Sequence, residues 1–166
     1  MTGNRLLRYP YVPFAFLCLA SFGLVGGGVL MGNLMNLAAC PLCIIQRLLY
    51  MVLVLTGALG LIVAGSLFGR RLAALLSAMA AGTGVFVAGY QTWIQRFAPE
   101  VNCSAKTPWW EEMVDRLGEQ VPLLFQSNGL CSDPAWKFLG LSIAEYSLMA
   151  FSLFTLISLW VLFRRR

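Results

Sequence analysis

The chain has 166 residues, of which 59 % are hydrophobic and only 11 % charged, with a net charge of +5 and no histidine. A soluble domain carries about a quarter charged residues, so a water-soluble globule is excluded and one membrane domain spanning 1–166 is expected. The basic excess does not indicate nucleic acid, because the arginines stand at the ends of apolar runs rather than in one patch.

Four runs lack any charge: Tyr9–Gln46, Leu48–Gly69, Leu72–Gln95 and Tyr146–Phe163. A spanning helix needs roughly 20 mostly apolar residues. The predicted fold is therefore an all-α bundle of four transmembrane helices, near 13–32, 44–65, 72–92 and 143–163. The N-terminal run is too long for a signal-peptide core and lacks a convincing small-residue cleavage site, so it is expected to remain as a helix.

The first span carries Gly23, Gly26, Gly27, Gly28 and Gly32, which read as small residues for close helix packing. Cys18 in the same span is expected to be a buried, inert thiol. After a short loop near 33–43 comes Cys40-Pro41-Leu42-Cys43, then Ile44, Ile45, Gln46 and Arg47. Proline is favoured at the first helical position, where its missing N–H has no partner to lose. Both thiols are thus expected in a first helical turn, where the positive end of the helix dipole favours thiolates. Cys43 and Arg47 lie four apart and share a face. Helical side chains lean toward the N-terminus, so the guanidinium should reach back toward the cysteines.

A Ser-Leu-Phe-Gly-Arg-Arg turn makes the second and third spans antiparallel neighbours, with Ala78, Gly82 and Gly89 expected at their packing faces. The third span ends in Tyr90, Gln91, Thr92, Trp93 and Gln95, which read as an interfacial belt, with a binding role for Gln91 as the sharper option. The loop near 93–142 is the sizeable polar region. Thr107-Pro108 resembles a cap and first helical position, and Trp109, Trp110, Met113 and Leu117 recur opposite Glu112, Asp115 and Glu119. A short amphipathic helix on the membrane surface is expected there. Asn128-Gly129 marks a turn before Cys131, and Asn102-Cys103-Ser104 is a short glycosylation sequon of little weight. Ser142-Ile143-Ala144-Glu145 has the spacing of a capping box, which favours a cap over a proton carrier at Glu145.

Arg5 and Arg8 precede the first span, Arg70 and Arg71 follow the second, and Arg164, Arg165 and Arg166 close the chain. By the positive-inside rule both termini are cytoplasmic. The loops near 33–43 and 93–142 then share the outer, oxidising side, with Cys40, Cys43, Cys103 and Cys131.

Those cysteines admit several readings. Two structural disulfides are the plainest, and closing a loop between Cys103 and Cys131 would contribute roughly 3–4 kcal/mol in the chain-entropy model. A Cys40–Cys43 bridge restrains almost nothing. Helical residues three apart have Cβ atoms about 5–6 Å apart, whereas a disulfide wants about 3.8 Å. Such a bond would be strained and reducible, as catalytic disulfides are. A four-cysteine zinc site ranks lower without a histidine, and no metal is expected. Redox chemistry needs an electron exit, yet no dinucleotide fingerprint, haem-attachment motif or iron–sulfur spacing is present. A lipid-soluble two-electron carrier would suit an apolar bundle, with Arg47 beside its reduced oxygen or the Cys43 thiolate, although Arg47 also reads as a snorkelling side chain.

The combination of four spans, Cys-Pro-Leu-Cys with arginine four residues on, a 27-residue gap between Cys103 and Cys131, and Trp136-Lys137-Phe138-Leu139-Gly140-Leu141 resembles the DsbB family over almost the whole chain. The resemblance implies a bacterial inner-membrane oxidase that reoxidises a periplasmic DsbA-like thioredoxin-fold protein and reduces membrane quinone, either ubiquinone or menaquinone. It also implies that the partner attacks a Cys103–Cys131 disulfide at Cys103, that Cys131 attacks Cys40, and that Cys43 passes electrons to quinone beside Arg47. Many relatives carry a histidine at the outer end of the third helix, where this chain reads Tyr90-Gln91-Thr92-Trp93. A proton or hydrogen-bond role at the quinone site would then fall to Gln91 or water. A quinone reductase resembling the vitamin K epoxide reductases is the nearer rival, disfavoured by the short first loop and the motif's location. A non-enzymatic membrane scaffold is the more distant one.

Overall fold

The computed structural model describes residues 11–37, 39–98, 109–121, 129, 131–132 and 136–164. Among them the chain forms five α-helices: α1 Tyr11–Leu34, α2 Pro41–Val63, α3 Leu67–Phe97, α4 Trp109–Gln120 and α5 Ile143–Phe163. Helices α1, α2, α3 and α5 are each long and apolar enough to cross a membrane. Large apolar side chains on their outer faces, such as Ile62, Phe86 and Leu156, are largely exposed, as lipid-facing residues must be. The protein is an all-α, multi-pass membrane protein built on four spans.

Packing follows chain order. α1 and α3 both lie against α2, α5 lies against α3, and α1 meets α5 only slightly. Phe14, Leu17, Tyr50, Leu53, Phe151 and Phe154 form the centre, with the Tyr50 and Phe151 rings stacked at 4.2 Å. Glycine permits the close approaches, but not the expected glycines. A Cβ on Gly57 would meet the Cys18 backbone nitrogen at 2.9 Å, and on Gly60 or Gly84 it would enter the ring of Phe14 or Phe151. By contrast Gly23, Gly26, Gly27, Gly28 and Gly82 have nothing within 4 Å of that position, and Gly89 meets only Leu148 at 3.8 Å. The buried stripe of α3 runs instead through Ala73, Ser77, Ala80, Ala81, Gly84 and Ala88. The reason is geometric. The buried residues of α1, Phe14, Leu17 and Ser21, lie in its first half, and the glycine-rich second half stands off from the bundle.

α3 continues past its expected end because its polar residues face protein. Gln91 and Ile94 are buried, and one turn later Arg96 Nε donates to Glu145 Oε1 at 2.7 Å. Glu145 also completes the capping box, accepting from the Ser142 backbone N–H at 2.7 Å while Ser142 caps the Glu145 N–H. It is a structural cap. Before it, Lys137–Phe138 and Leu141–Ser142 pair as a two-residue antiparallel hairpin, which the sequence reading did not include. Leu139 and Gly140 turn it at φ of 50° and 80°, the left-handed pair a tight hairpin turn requires. At the other end of the bundle, Arg70 is buried inside α3 and donates to the Arg164 carbonyl at 3.4 Å.

α4 matches the helix expected in the long loop and touches α2. Thr107, Pro108, Asn102 and Asn128 lie outside the described residues, as do the side chains of Trp109, Trp110, Asp115 and Leu117.

Candidate functional site

Cys40 is the N-cap of α2, with extended backbone (φ −90°, ψ 161°), and Pro41 is the first helical residue. Its sulfur takes the place usually filled by a serine or aspartate oxygen and accepts from the Cys43 backbone N–H at 3.4 Å. The expectation that both cysteines belong to a regular first turn is corrected: Cys40 stands just outside the helix. The fixed helical Cβ spacing therefore does not apply to this pair. Their sulfurs are 2.9 Å apart, with both thiols free.

A third sulfur joins them. The Gly129 N–H donates to the Ala39 carbonyl at 3.0 Å, and Gln95 Nε2 donates to the Cys131 carbonyl at 3.4 Å. The first bond ties the segment carrying Cys131 to the approach to α2, and the second ties it to the end of α3. Cys131, Cys40, Leu42 and Ile94 form one buried cluster, and the Cys131 thiol hydrogen-bonds with that of Cys40. Its hydrogen bonds with Cys131 and Cys43, together with burial, push the Cys40 thiol well above the ordinary range. The helix start was expected to favour the thiolate. At Cys40 these neighbours outweigh it.

Gln91 reaches in from α3. Its Nε2 lies 3.2 Å from the sulfurs of both Cys40 and Cys43. On its other side, Gln46 Nε2 donates to Gln91 Oε1 at 2.6 Å. Gln91, a candidate for the quinone site, borders the cavity described next as well as donating to the sulfurs. The sequence reading missed Gln46. The available signal was its position three residues after Cys43, which puts it on the same face of α2.

Cys43 and Arg47 open onto a cavity of about 350 Å³ between α1 and α5, walled by Gly23, Gly27 and Tyr50 and roofed near Trp136. Arg47 interacts electrostatically with both cysteines, and its Nη2 lies 3.6 Å from where a Cβ on Gly32 would sit. The guanidinium therefore spans from α2 toward α1 beside the sulfurs, as the helix geometry predicted. Two buried polar atoms on the cavity wall, the Tyr50 hydroxyl and Gln95 Oε1, have no hydrogen-bond partner among the described residues. Ser147 stands beside Tyr50, yet no hydrogen bond of good geometry joins them. An apolar chamber with a cation, a thiol and unpaired polar atoms suits a flat apolar molecule carrying polar oxygens.

Cys103 lies outside the described residues. Cys18 is half-buried, and its backbone packs against Gly57 of α2, remote in sequence from the other thiols. Among the described residues, no cluster of side chains suited to a metal is found.

Residues 11–161 match the family model described as disulfide bond formation protein DsbB. The chain is 43 % identical over 146 residues to disulfide bond formation protein B of Dechloromonas aromatica (strain RCB), covering 84 % of each chain. It is 35 % identical over 154 residues to the protein of that name from Albidiferax ferrireducens (92 % of this chain, 87 % of the relative). Against that of Nitrosospira multiformis the identity is 32 % over 160 residues, covering 94 % and 95 %.

Proposed function

The chain belongs to the DsbB family of disulfide bond formation proteins, and from that premise we propose that it is the quinone-reducing oxidase of a DsbA-like thioredoxin-fold partner. It acts in the bacterial inner membrane with its cysteines on the periplasmic side. The observation that carries this reading is the order of groups along one line: Cys131 against Cys40, Cys40 against Cys43, and Cys43 on the wall of the Arg47 cavity.

Each exchange is a thiolate attack on a disulfide sulfur. A thiolate of the reduced partner attacks Cys103 of the Cys103–Cys131 bond and releases Cys131. Cys131 attacks Cys40 of the Cys40–Cys43 bond and releases Cys43 as the thiolate. The partner's second thiol closes its own disulfide and frees Cys103, which recovers Cys131 and leaves Cys40 and Cys43 as the reduced pair. Re-forming the Cys40–Cys43 bond gives up two electrons and two protons. Quinone, when bound, is the acceptor for both. Arg47 and the unpaired atoms of Tyr50 and Gln95 are the residues that would hold it. Arg47 and the Gln91 amide stabilise negative charge on Cys43 while it waits. A scaffold with structural disulfides accounts for neither the cavity nor the cation beside Cys43.

The test is turnover with a reduced DsbA-like protein and a soluble ubiquinone analogue. Cys43→Ser should reduce no quinone, yet still form a mixed disulfide through Cys103. Turnover at the unaltered rate in Cys43→Ser would refute the assignment.

A further inference from the structure

Gln46 has no place in the exchange sequence, yet it is 4 % exposed and makes the shortest hydrogen bond between α2 and α3 at this end of the bundle. Its partner Gln91 is 2 % exposed. We propose that Gln46 is a positioning residue that sets the polarity of the Gln91 amide, so that N–H rather than carbonyl faces the Cys40–Cys43 pair. This rests on reading Cys40 and Cys43 as the redox pair.

A primary amide is two-faced: one end accepts only and the other donates only. The end of Gln91 toward the sulfurs decides whether a thiolate there is stabilised or repelled. With Gln46 Nε2 donating to Oε1, rotating the Gln91 amide by half a turn would set two NH₂ groups against each other in a dry interior. The carbonyl would at the same time face the sulfurs. With Gln46 as it stands, this orientation of Gln91 pairs the two amides and offers Nε2 to both sulfurs at 3.2 Å. Cys43 and Gln46 share a face of α2, so the helix that carries the thiol also orients the amide that α3 brings to it. Neither amide titrates, so the donor remains in place whatever the pH.

The experiment measures iodoacetamide alkylation of the fully reduced protein at neutral pH, resolved by site with mass spectrometry. It uses neither partner nor quinone, so it is independent of whether the protein turns over either. Only thiolates react, and a hydrogen bond to a charged acceptor is of a strength that makes its loss a change of about tenfold. Gln46→Met should slow alkylation of Cys43 about tenfold. Gln91→Leu should slow it at least as much, and the Gln46→Met/Gln91→Leu double variant should equal Gln91→Leu alone, because the effect of Gln46 passes through that amide. Cys18, whose backbone packs on Gly57, reports on the fold and should label at the unaltered rate throughout. If Gln46→Met opens the bundle, seen as Cys18 labelling at the denatured rate, Gln46→Leu gives the same comparison. Unaltered Cys43 labelling in the Gln46 variants would overturn the proposal, as would penalties that multiply in the double variant.

Discussion

Cys40 and Cys43 share a motif but not an environment. Cys40 caps the helix from outside, against two other thiols, whereas Cys43 sits three residues in, one turn before Arg47; both border the cavity. The neighbouring thiols and burial hold the Cys40 proton in the folded state beyond the point where an unfolded chain would release it. Alkylation of Cys40 in the reduced protein should thus stay slow through neutral pH and accelerate only well above the ordinary thiol value of about 8.5. The linkage has the matching sign: folded reduced protein binds the extra proton, so it should lose stability as pH rises past that value. Cys40 labelling at the denatured-state rate at pH 7 would contradict this. The helix start, the Pro41 position and the Arg47 alignment were all legible in the sequence, because each depends on local backbone geometry. The Gln46–Gln91 bond was not, since it joins residues 45 apart along the chain and depends on how two helices are rotated against each other.

Among the elements, the spans were legible because charge-free runs of membrane length have few other outcomes. The packing glycines were not. Periodicity marks small residues but cannot say which faces meet, and here the positions crowded by a neighbouring span are Gly57, Gly60 and Gly84 while Gly23, Gly26, Gly27 and Gly28 border open space. Gly60→Val should therefore destabilise the bundle, by about 1–3 kcal/mol or more for an overpacked core. Gly23→Ala should be neutral or slightly stabilising, because alanine is the better helix former. Thermal unfolding in one detergent compares them directly. A Gly23→Ala penalty equal to that of Gly60→Val would show that α1 packs along its whole length.

For the whole molecule, the weak contact between α1 and α5 is the organising fact: two helices that close a ring elsewhere leave a cavity here, next to Cys43. Filling it should separate the two half-reactions. Gly27→Phe should raise the KM for a quinone analogue about tenfold, the scale of a lost apolar contact of one to two kcal/mol, while exchange with the partner protein keeps its rate. An equal loss in both would mean the cavity is not where the acceptor binds. The charge-free runs gave the number and rough extent of the spans, but no sequence pattern announces a gap between helices. The account as a whole depends on electrons leaving through Cys43. The most direct measurement is a single anaerobic turnover: fully reduced protein is mixed with a quinone analogue, and quinone absorbance and trapped thiols are followed together. The account predicts quinone loss equimolar with Cys40–Cys43 disulfide, at the same rate, and none of either in Cys43→Ser. Quinone reduction by Cys43→Ser at the unaltered rate, or disulfide appearing only between Cys103 and Cys131, would contradict it.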